Sequence, residues 1–312
     1  MKKKRIAVVG SLNYDIILKQ KRLPKIGETY TADSISFCNG GKGANQAVQC
    51  SKLGADTVMI GCVGYDNFGN EVIRGLKKYD VNTDYIKKTE NSTGIGVVNA
   101  LENGELIATI SKGANYDINI EDIDKAAKII KNSEIIILQL EIPMEIIEYT
   151  IDLANENGVF IILNAAPAIP IKKSIFSKID CLVVNETEAN FYLGREEESI
   201  QFSEEDCKEL FSKIKKLLII TLGEKGSLIY DGKNLEHIKS YKVDAIETTG
   251  AGDSFIGAFA YKLLNGSSYL EAAIFSSVVS ALTVTKVGAQ DSMPTLHEVK
   301  KIFQNNNIVL KC

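Results

Sequence analysis

The chain has 312 residues, 45% of them apolar and 24% charged, with a net charge of −4, which fits one large soluble α/β domain. The acidic balance argues against a broad nucleic-acid or membrane-surface footprint, and the Lys2-Lys3-Lys4-Arg5 run reads as a solvated lead-in to the first strand. No apolar run reaches the roughly 18 residues of a membrane span, and the apolar piece after the basic start breaks at Gly10 and Asn13, too early for a secretory leader.

Arg5 to Gly10 is a short apolar strand ending in Gly, a usual opening for a parallel α/β sheet. A dinucleotide-binding turn needs three spaced glycines here, and only Gly10 is present, so that reading fails. Asn13 and Asp15 flank Tyr14 at period 2. On an extended chain both project to one face, where an amide and a carboxylate suit the neighbouring hydroxyls of a polyol. A surface Asx turn accounts for the same residues. Ile16 to Lys19 and Thr29 to Phe37 read as two strands joined by a loop with Pro24 and Gly27. No helix separates them, which predicts an antiparallel insertion. Asn39-Gly40-Gly41-Lys42-Gly43-Ala44-Asn45-Gln46-Ala47 then opens a helix that closes at Gly54. Gly43 follows Lys42 where a Walker A loop needs Ser or Thr. Glycines at 40, 41 and 43 exceed the needs of a plain turn and point to a ligand loop, with Lys42 and Asn45 on a sugar hydroxyl or a phosphate.

Thr57 to Gly61 and Phe68 to Tyr79 continue the alternation as strand and helix. Thr93 to Leu101 and Glu105 to Ser111 form a hairpin around Asn103-Gly104. Segments near 12–38 and 93–112 are therefore expected to join into a small sheet outside the main domain, a lid over a pocket. Its open apolar face predicts a homodimer through the lid. A helix over Glu121 to Lys131 leads to a strand over Glu134 to Leu140, with Glu141 at the carboxyl end, where open α/β sheets place ligands. Pro143 is expected at the first position of the next helix. Val159 to Leu163 and Cys181 to Val184 are further buried strands. After the second, Asn185 and Glu188 have capping-box spacing, and a place beside phosphates and Mg²⁺ fits them equally. Leu217 to Leu222 is a strand whose Gly-bounded exit can take a nucleotide, and a hairpin follows at Asp231-Gly232.

Tyr241 to Ile246 reads as a strand entering the stretch from Glu247 to Asp253. Phe255 to Leu264 has helical apolar spacing, so Gly250, Ala251 and Gly252 sit where a loop becomes a first turn. The unpartnered N–H groups and the helix dipole there attract an anion such as phosphate. Asp253 would repel that anion but can take the proton of a hydroxyl that attacks it. Plain helix capping explains Gly and Asp at this point equally well. A helix over Tyr269 to Thr285, a tight Lys286 to Ser292 loop able to offer carbonyl oxygens to a cation, and a helix over Leu296 to Gln304 complete the chain. The cysteines, at 38, 50, 62, 181, 207 and 312, show no CxxC spacing, and His237 and His297 lie near none of them. That argues against zinc and for reduced thiols of a cytosolic protein. Cys38 either approaches a ligand or fills a small buried space.

Taken together, the motifs resemble the ribokinase family of sugar and nucleoside kinases, from about residue 5 to 303. The resemblance is carried by Gly40 to Ala47 and Thr249 to Phe255, with Asn13-x-Asp15, Gln139-Leu140-Glu141, Asn185 to Glu188, Thr221-Leu222-Gly223 and Gly288-Ala289-Gln290 in the family's order. It implies an α/β fold: one three-layer domain over 1–312 with a mostly parallel central sheet and a small antiparallel lid. It implies ATP-dependent phosphorylation of D-ribose at O5, with 2-deoxyribose, fructose or a nucleoside as other acceptors. A sugar-binding regulator without catalysis would have lost Asp253 or the anion loop, and both are intact. In the implied site, Asp253 is the base, and Gly250, Ala251 and Gly252 stabilise the transferring phosphoryl group. Asn13, Asp15, Gly41, Lys42, Asn45 and Glu141 hold the sugar. Asn185, Thr221, Leu222, Gly223, Glu224, Lys225, Gly226 and Ser277 line the ATP site. Glu188 acts near Mg²⁺ through water, and Glu247, Thr249, Thr283, Lys286, Gly288 and Ser292 match a K⁺ site. Three departures stand out. Glu247 replaces a usual Asp, which is expected to shift K⁺ dependence. Ser277 stands where Asn or His is frequent on the adenine side. Gly96 and Asn99 replace larger apolar residues in the lid, which is expected to widen the sugar pocket.

Overall fold

A computed structural model describes residues 4–102, 106–195 and 201–305. Lys2, Lys3, the Asn103-Gly104 turn and Cys312 lie outside the described residues. The strands are β1 (Arg5–Val9), β2 (Asn13–Gln20), β3 (Ser34–Gly40), β4 (Asp56–Gly64), β5 (Asn82–Thr89), β6 (Gly94–Leu101), β7 (Leu106–Ser111), β8 (Ile135–Gln139), β9 (Phe160–Asn164), β10 (Cys181–Val184), β11 (Leu217–Thr221), β12 (Ser227–Tyr230) and β13 (Leu235–Ile238). The helices are α1 (Lys42–Lys52), α2 (Asn67–Lys78), α3 (Ile120–Lys131), α4 (Met144–Glu156), α5 (Lys173–Phe176), α6 (Glu186–Tyr192), α7 (Glu204–Phe211), α8 (Ala251–Leu264), α9 (Tyr269–Thr283) and α10 (Leu296–Asn305).

The main sheet has the order β13-β12-β11-β10-β9-β8-β1-β4-β5. It is parallel from β11 to β5, with β12 and β13 added antiparallel at one edge. Its central strands are apolar on both faces because helices cover both. Along β8, Ile136 and Leu138 pack with Ile123 and Ile130 of α3 and Ile147 and Ile151 of α4. Ile135 and Ile137 face the other way, toward Val48 of α1 and Phe255 and Phe259 of α8. Each such side chain contributes about 1.5–3 kcal/mol by leaving water. The three-layer expectation therefore holds, and among the described residues no helix is long and apolar enough to cross a membrane.

The second sheet has the order β3-β2-β6-β7. Its two outer pairings are antiparallel as expected, but the central β2–β6 pairing is parallel. The reason lies in the main sheet. The strands preceding them, β1 and β5, run the same way, so β2 and β6 both leave from the carboxyl end of the parallel strands. Three local expectations are corrected. Tyr241 to Ile246 is not a strand; β13 already forms the sheet edge, and Ile246 N–H bonds instead to Val284 O at 2.7 Å. Pro143 is the N-cap of α4 rather than its first helical residue. Strand β5 was not anticipated. It is an edge strand whose Lys87-Lys88 pair masks the β pattern and discourages edge-to-edge pairing.

Helices α1 and α8 cross closely, and Gly257 makes the crossing possible. A Cβ there would lie 2.7 Å from Gln49 Cβ and 2.9 Å from Gln46 O. Gly257→Ala should therefore lower stability in urea unfolding by about 1–3 kcal/mol, despite the better helix propensity of Ala. An unchanged or raised midpoint would show that the crossing is looser than described.

Candidate active site

Asp253 is the third residue of α8, one turn before the crossing at Gly257. Both of its carboxylate oxygens are held from α1: Asn45 Nδ2 donates to Oδ2 and Gln46 Nε2 to Oδ1, each at 2.9 Å. The carboxylate is therefore not a helix cap, and Gly250, the N-cap, supplies no side-chain cap either. Capping thus leaves this motif unexplained. Burial pushes Asp253 above the usual carboxylate range, while Lys42, Asn45 and Gln46 pull it back. Gly250 adopts φ 78° to turn the chain into α8, a left-handed conformation that favours glycine. Nothing lies within 4 Å of a Cβ placed on Gly252, so the first turn opens onto a pocket that Asp253, Lys42, Asn185 and Glu188 also line.

The lid carries a second group of polar residues. Asn13 and Asp15 share one face of β2, as their period predicts. Asn13 Oδ1 accepts from Asn115 Nδ2 at 2.7 Å, and Asn115 Oδ1 accepts from Leu12 N at 2.8 Å. The Asp15 carboxylate occupies space that two glycines vacate on the flanking strands. A Cβ at Gly40 would sit 1.9 Å from Asp15 Oδ2, and one at Gly96 would sit 2.4 Å from Oδ1. Gly96 thus accommodates Asp15 instead of merely enlarging the pocket. Asn99 faces away from the Asn13 and Asp15 side by the same two-residue period, and its Oδ1 accepts from Gln20 Nε2 at 2.9 Å. Its expected part in widening the pocket is therefore corrected. Burial and then the Glu141 charge push Asp15 up to about 6.

Gly41 (φ 87°) and Gly43 bring the start of α1 against the turn after β1. Cβ atoms there would lie 2.7 Å from Asn13 N and 2.8 Å from Ser11 N. Lys42 points among carboxylates, with Nζ 3.8 Å from Glu141 Oε1. Burial alone would lower its pKa, but Asp253, Glu141, Glu188 and Asp15 outweigh that and hold it above the ordinary lysine value. Ser11 Oγ donates a short hydrogen bond to Glu141 Oε2.

Asn185 and Glu188 do form the capping box, at 2.8 Å in both directions, and both also line the pocket. The two readings of that motif are compatible. Burial pushes the Glu188 pKa up, against the Asn185 N–H and Lys42. Thr221 lines the pocket as well. Leu222 to Gly226 form a closed turn through Leu222 N–H to Gly226 O at 2.8 Å. Ser277 is not among the pocket-lining residues, and its hydroxyl donates to Lys239 O at 3.2 Å.

The loop read as a cation site lies beside Glu247. Gly288 N–H donates to Glu247 Oε2 at 3.0 Å, and Glu247 N–H donates to Val284 O at 3.2 Å. The hydroxyls of Thr283 and Ser292 are buried and bonded to Val279 O and Ala289 O. Lys286 turns its ammonium to Glu298 at 2.7 Å. Thr249 precedes the Gly250 cap. Among the described residues no group of three His, Cys, Asp or Glu side chains could hold a metal.

The sequence reading missed Ser11, Gln46, Asn115 and Asn164 as site residues. Gln46 carried a usable signal: it follows Asn45 directly and opens the same helix. Asn115 gave none, because it reaches Asn13 from about a hundred residues away.

The chain matches the profile described as pfkB family carbohydrate kinase over residues 3–296 and belongs to that family. It is 40% identical to a ribokinase of Schizosaccharomyces pombe, across 96% of this chain and 97% of the relative. It is 36% identical to a deoxyribokinase of Salmonella typhi, across 96% and 99%. Among solved structures, Arabidopsis thaliana ribokinase complexed with ribose and ATP superposes with a TM-score of 0.87 at 32% identity, covering 96% of this chain and 98% of that one.

Asp15 titrates near 3.8 in an unfolded chain and at about 6 when folded. Its contribution to stability is therefore full below about 4 and is lost as pH rises through 6. Asp15→Asn should raise Tm more at pH 8 than at pH 5, while weakening sugar binding. Equal Tm differences at both pH values would contradict the burial described.

Proposed function

We propose that the chain transfers the γ-phosphoryl group of ATP to the 5-hydroxyl of D-ribose, giving D-ribose 5-phosphate and ADP. The observation that carries this reading is the half-buried Asp253 carboxylate, fixed by two amides beside the open N-terminal turn of α8. The O5 oxygen attacks the γ-phosphorus, the bond from that phosphorus to the β,γ-bridging oxygen breaks, and the O5 proton passes to Asp253. The N–H groups at Gly250 to Gly252, with Lys42, stabilise the negative charge on the transferring group. Asn13, Asp15, Gly41, Lys42, Asn45 and Glu141 hold the sugar, Asn45 through its second amide hydrogen. Asn185 and the turn from Thr221 to Gly226 hold ATP.

Mg²⁺, when bound, neutralises phosphate charge, and Glu188 holds it through water. The loop through Glu247, Thr249, Thr283, Lys286, Gly288 and Ser292 takes K⁺. Support for a cytoplasmic setting comes from free thiols at Cys38, Cys50, Cys62, Cys181 and Cys207. A homodimer through the lid is supported by its exposed Ile35, Phe37 and Ile107, which lie on one face across Ile16, Leu18 and Val97. The deoxyribokinase relative favours 2-deoxyribose as the second reading. Asp15 and Glu141 weigh for ribose, since a missing hydroxyl leaves a buried polar group unpaired and such sites discriminate strongly.

Two measurements test this. With purified protein, ATP consumption should depend on D-ribose and exceed that with 2-deoxyribose, fructose or adenosine, and K⁺ should raise it. Turnover with another acceptor alone would overturn the substrate assignment. Asp253→Asn should keep the fold by circular dichroism and lower kcat by roughly 10² to 10⁴; full activity would remove Asp253 from the role of base.

A further inference from the structure

We propose that Gln139 and Gln290 are positioning residues for the transfer, each fixing the orientation of one of the two α1 amides that hold Asp253. This rests on the reading of Asp253 as the base. Gln290 Nε2 donates to Asn45 Oδ1 at 3.2 Å, and Asn45 Nδ2 then faces Asp253. Gln139 Nε2 donates to Gln46 Oε1 at 2.6 Å, and Gln46 Nε2 then faces Asp253 and Asn164 Oδ1. A side-chain amide has nearly the same shape either way round, so hydrogen bonding alone decides which end points where. Turned over, Asn45 or Gln46 would set a carbonyl oxygen against the carboxylate. The donor behind each one prevents this.

The outer glutamines occupy these positions at a cost. Gln139 is 0% exposed and Gln290 4% exposed, yet the Oε1 of each has no hydrogen-bond partner among the described residues. A buried carbonyl left so is destabilising. Rotating either amide would be worse, because its oxygen would then face the oxygen of Asn45 or Gln46. The surroundings are shaped to the arrangement. A Cβ at Gly10 would lie 1.8 Å from Gln139 Oε1, so the glycine that ends β1 makes room for this side chain. The backbone around Gln290 is clamped by the face of α1 that carries Asn45. Gln49, four residues on, donates to Pro294 O at 3.1 Å, and Lys52, seven residues on, donates to Gln290 O at 3.1 Å. Gln290 thereby ties the base to the loop that contains Gly288 and Ser292.

The test uses Gln139→Met and Gln290→Met, which keep the side-chain length and remove the donor. Gln49→Met is the control, because Gln49 holds the same loop without touching the relay. Two readouts are needed: a ¹³C titration of the Asp253 carboxyl, assigned by its absence in Asp253→Asn, and steady-state kinetics with ribose. A weakened hydrogen bond to the carboxylate raises its pKa. Both relay variants should raise the Asp253 pKa by about half to one unit and lower kcat about tenfold with KM for ATP unchanged. Gln49→Met should leave the Asp253 titration where it is in the wild type. An unmoved Asp253 in both relay variants would overturn the proposal, as would Gln49→Met matching Gln290→Met. Should wild-type protein not turn over ribose, the substrate reading fails, and the titration still decides the relay.

Discussion

The Asp253 carboxylate accepts one amide hydrogen from Asn45 and one from Gln46, and that double contact ties together the two halves of the chain. It requires α1 and α8 to approach closely, which Gly257 permits. It requires the start of α1 to lie on the turn after β1, which Gly41 and Gly43 permit. Once α1 is set, Lys42 must point toward Glu141. The lid strand β2, leaving that same turn, carries Asn13 and Asp15 on one face. The site is therefore a consequence of helix packing, with glycines where the backbones must touch.

The charges around the pocket are unbalanced. Lys42 is surrounded by Asp253, Glu141, Glu188 and Asp15. One ammonium cannot neutralise four carboxylates, and burial pushes Asp15, Glu188 and Asp253 toward their neutral forms. On the proposed function, sugar hydroxyls would relieve part of this by donating to the carboxylates, and a divalent cation would relieve more. Binding groups held partly desolvated before the substrate arrives are pre-organised, so little reorganisation accompanies the reaction. The stability lost at Asp15 as it ionises is the counterpart of that readiness.

Much of this was legible in the sequence. The alternation of buried strands and helices, the two inserted hairpins and the helix-opening glycines all follow from local pattern. The Asn13-x-Asp15 spacing and the Asp253 motif were readable because period and helix termini fix where side chains go. What escaped was non-local. Asn115 behind Asn13, Gln139 behind Gln46 and Gln290 behind Asn45 are polar residues whose meaning depends on partners about a hundred to two hundred and fifty residues away. Strand β5 escaped because its charged edge hides the alternation. The false strand at Tyr241 to Ile246 shows the converse: a pattern suited to a sheet finds no strand to pair with once β13 has closed the edge.

The most direct test of the central contact is a double-mutant cycle between Gln46→Leu and Asp253→Asn, read as kcat with ribose. Gln46 acts, on this account, only through Asp253. Gln46→Leu should therefore slow the wild type clearly but leave the already slow Asp253→Asn variant unchanged within about twofold. Losses that multiply in the double variant would mean that Gln46 serves the reaction by another route, and that the amide pair does not hold the base.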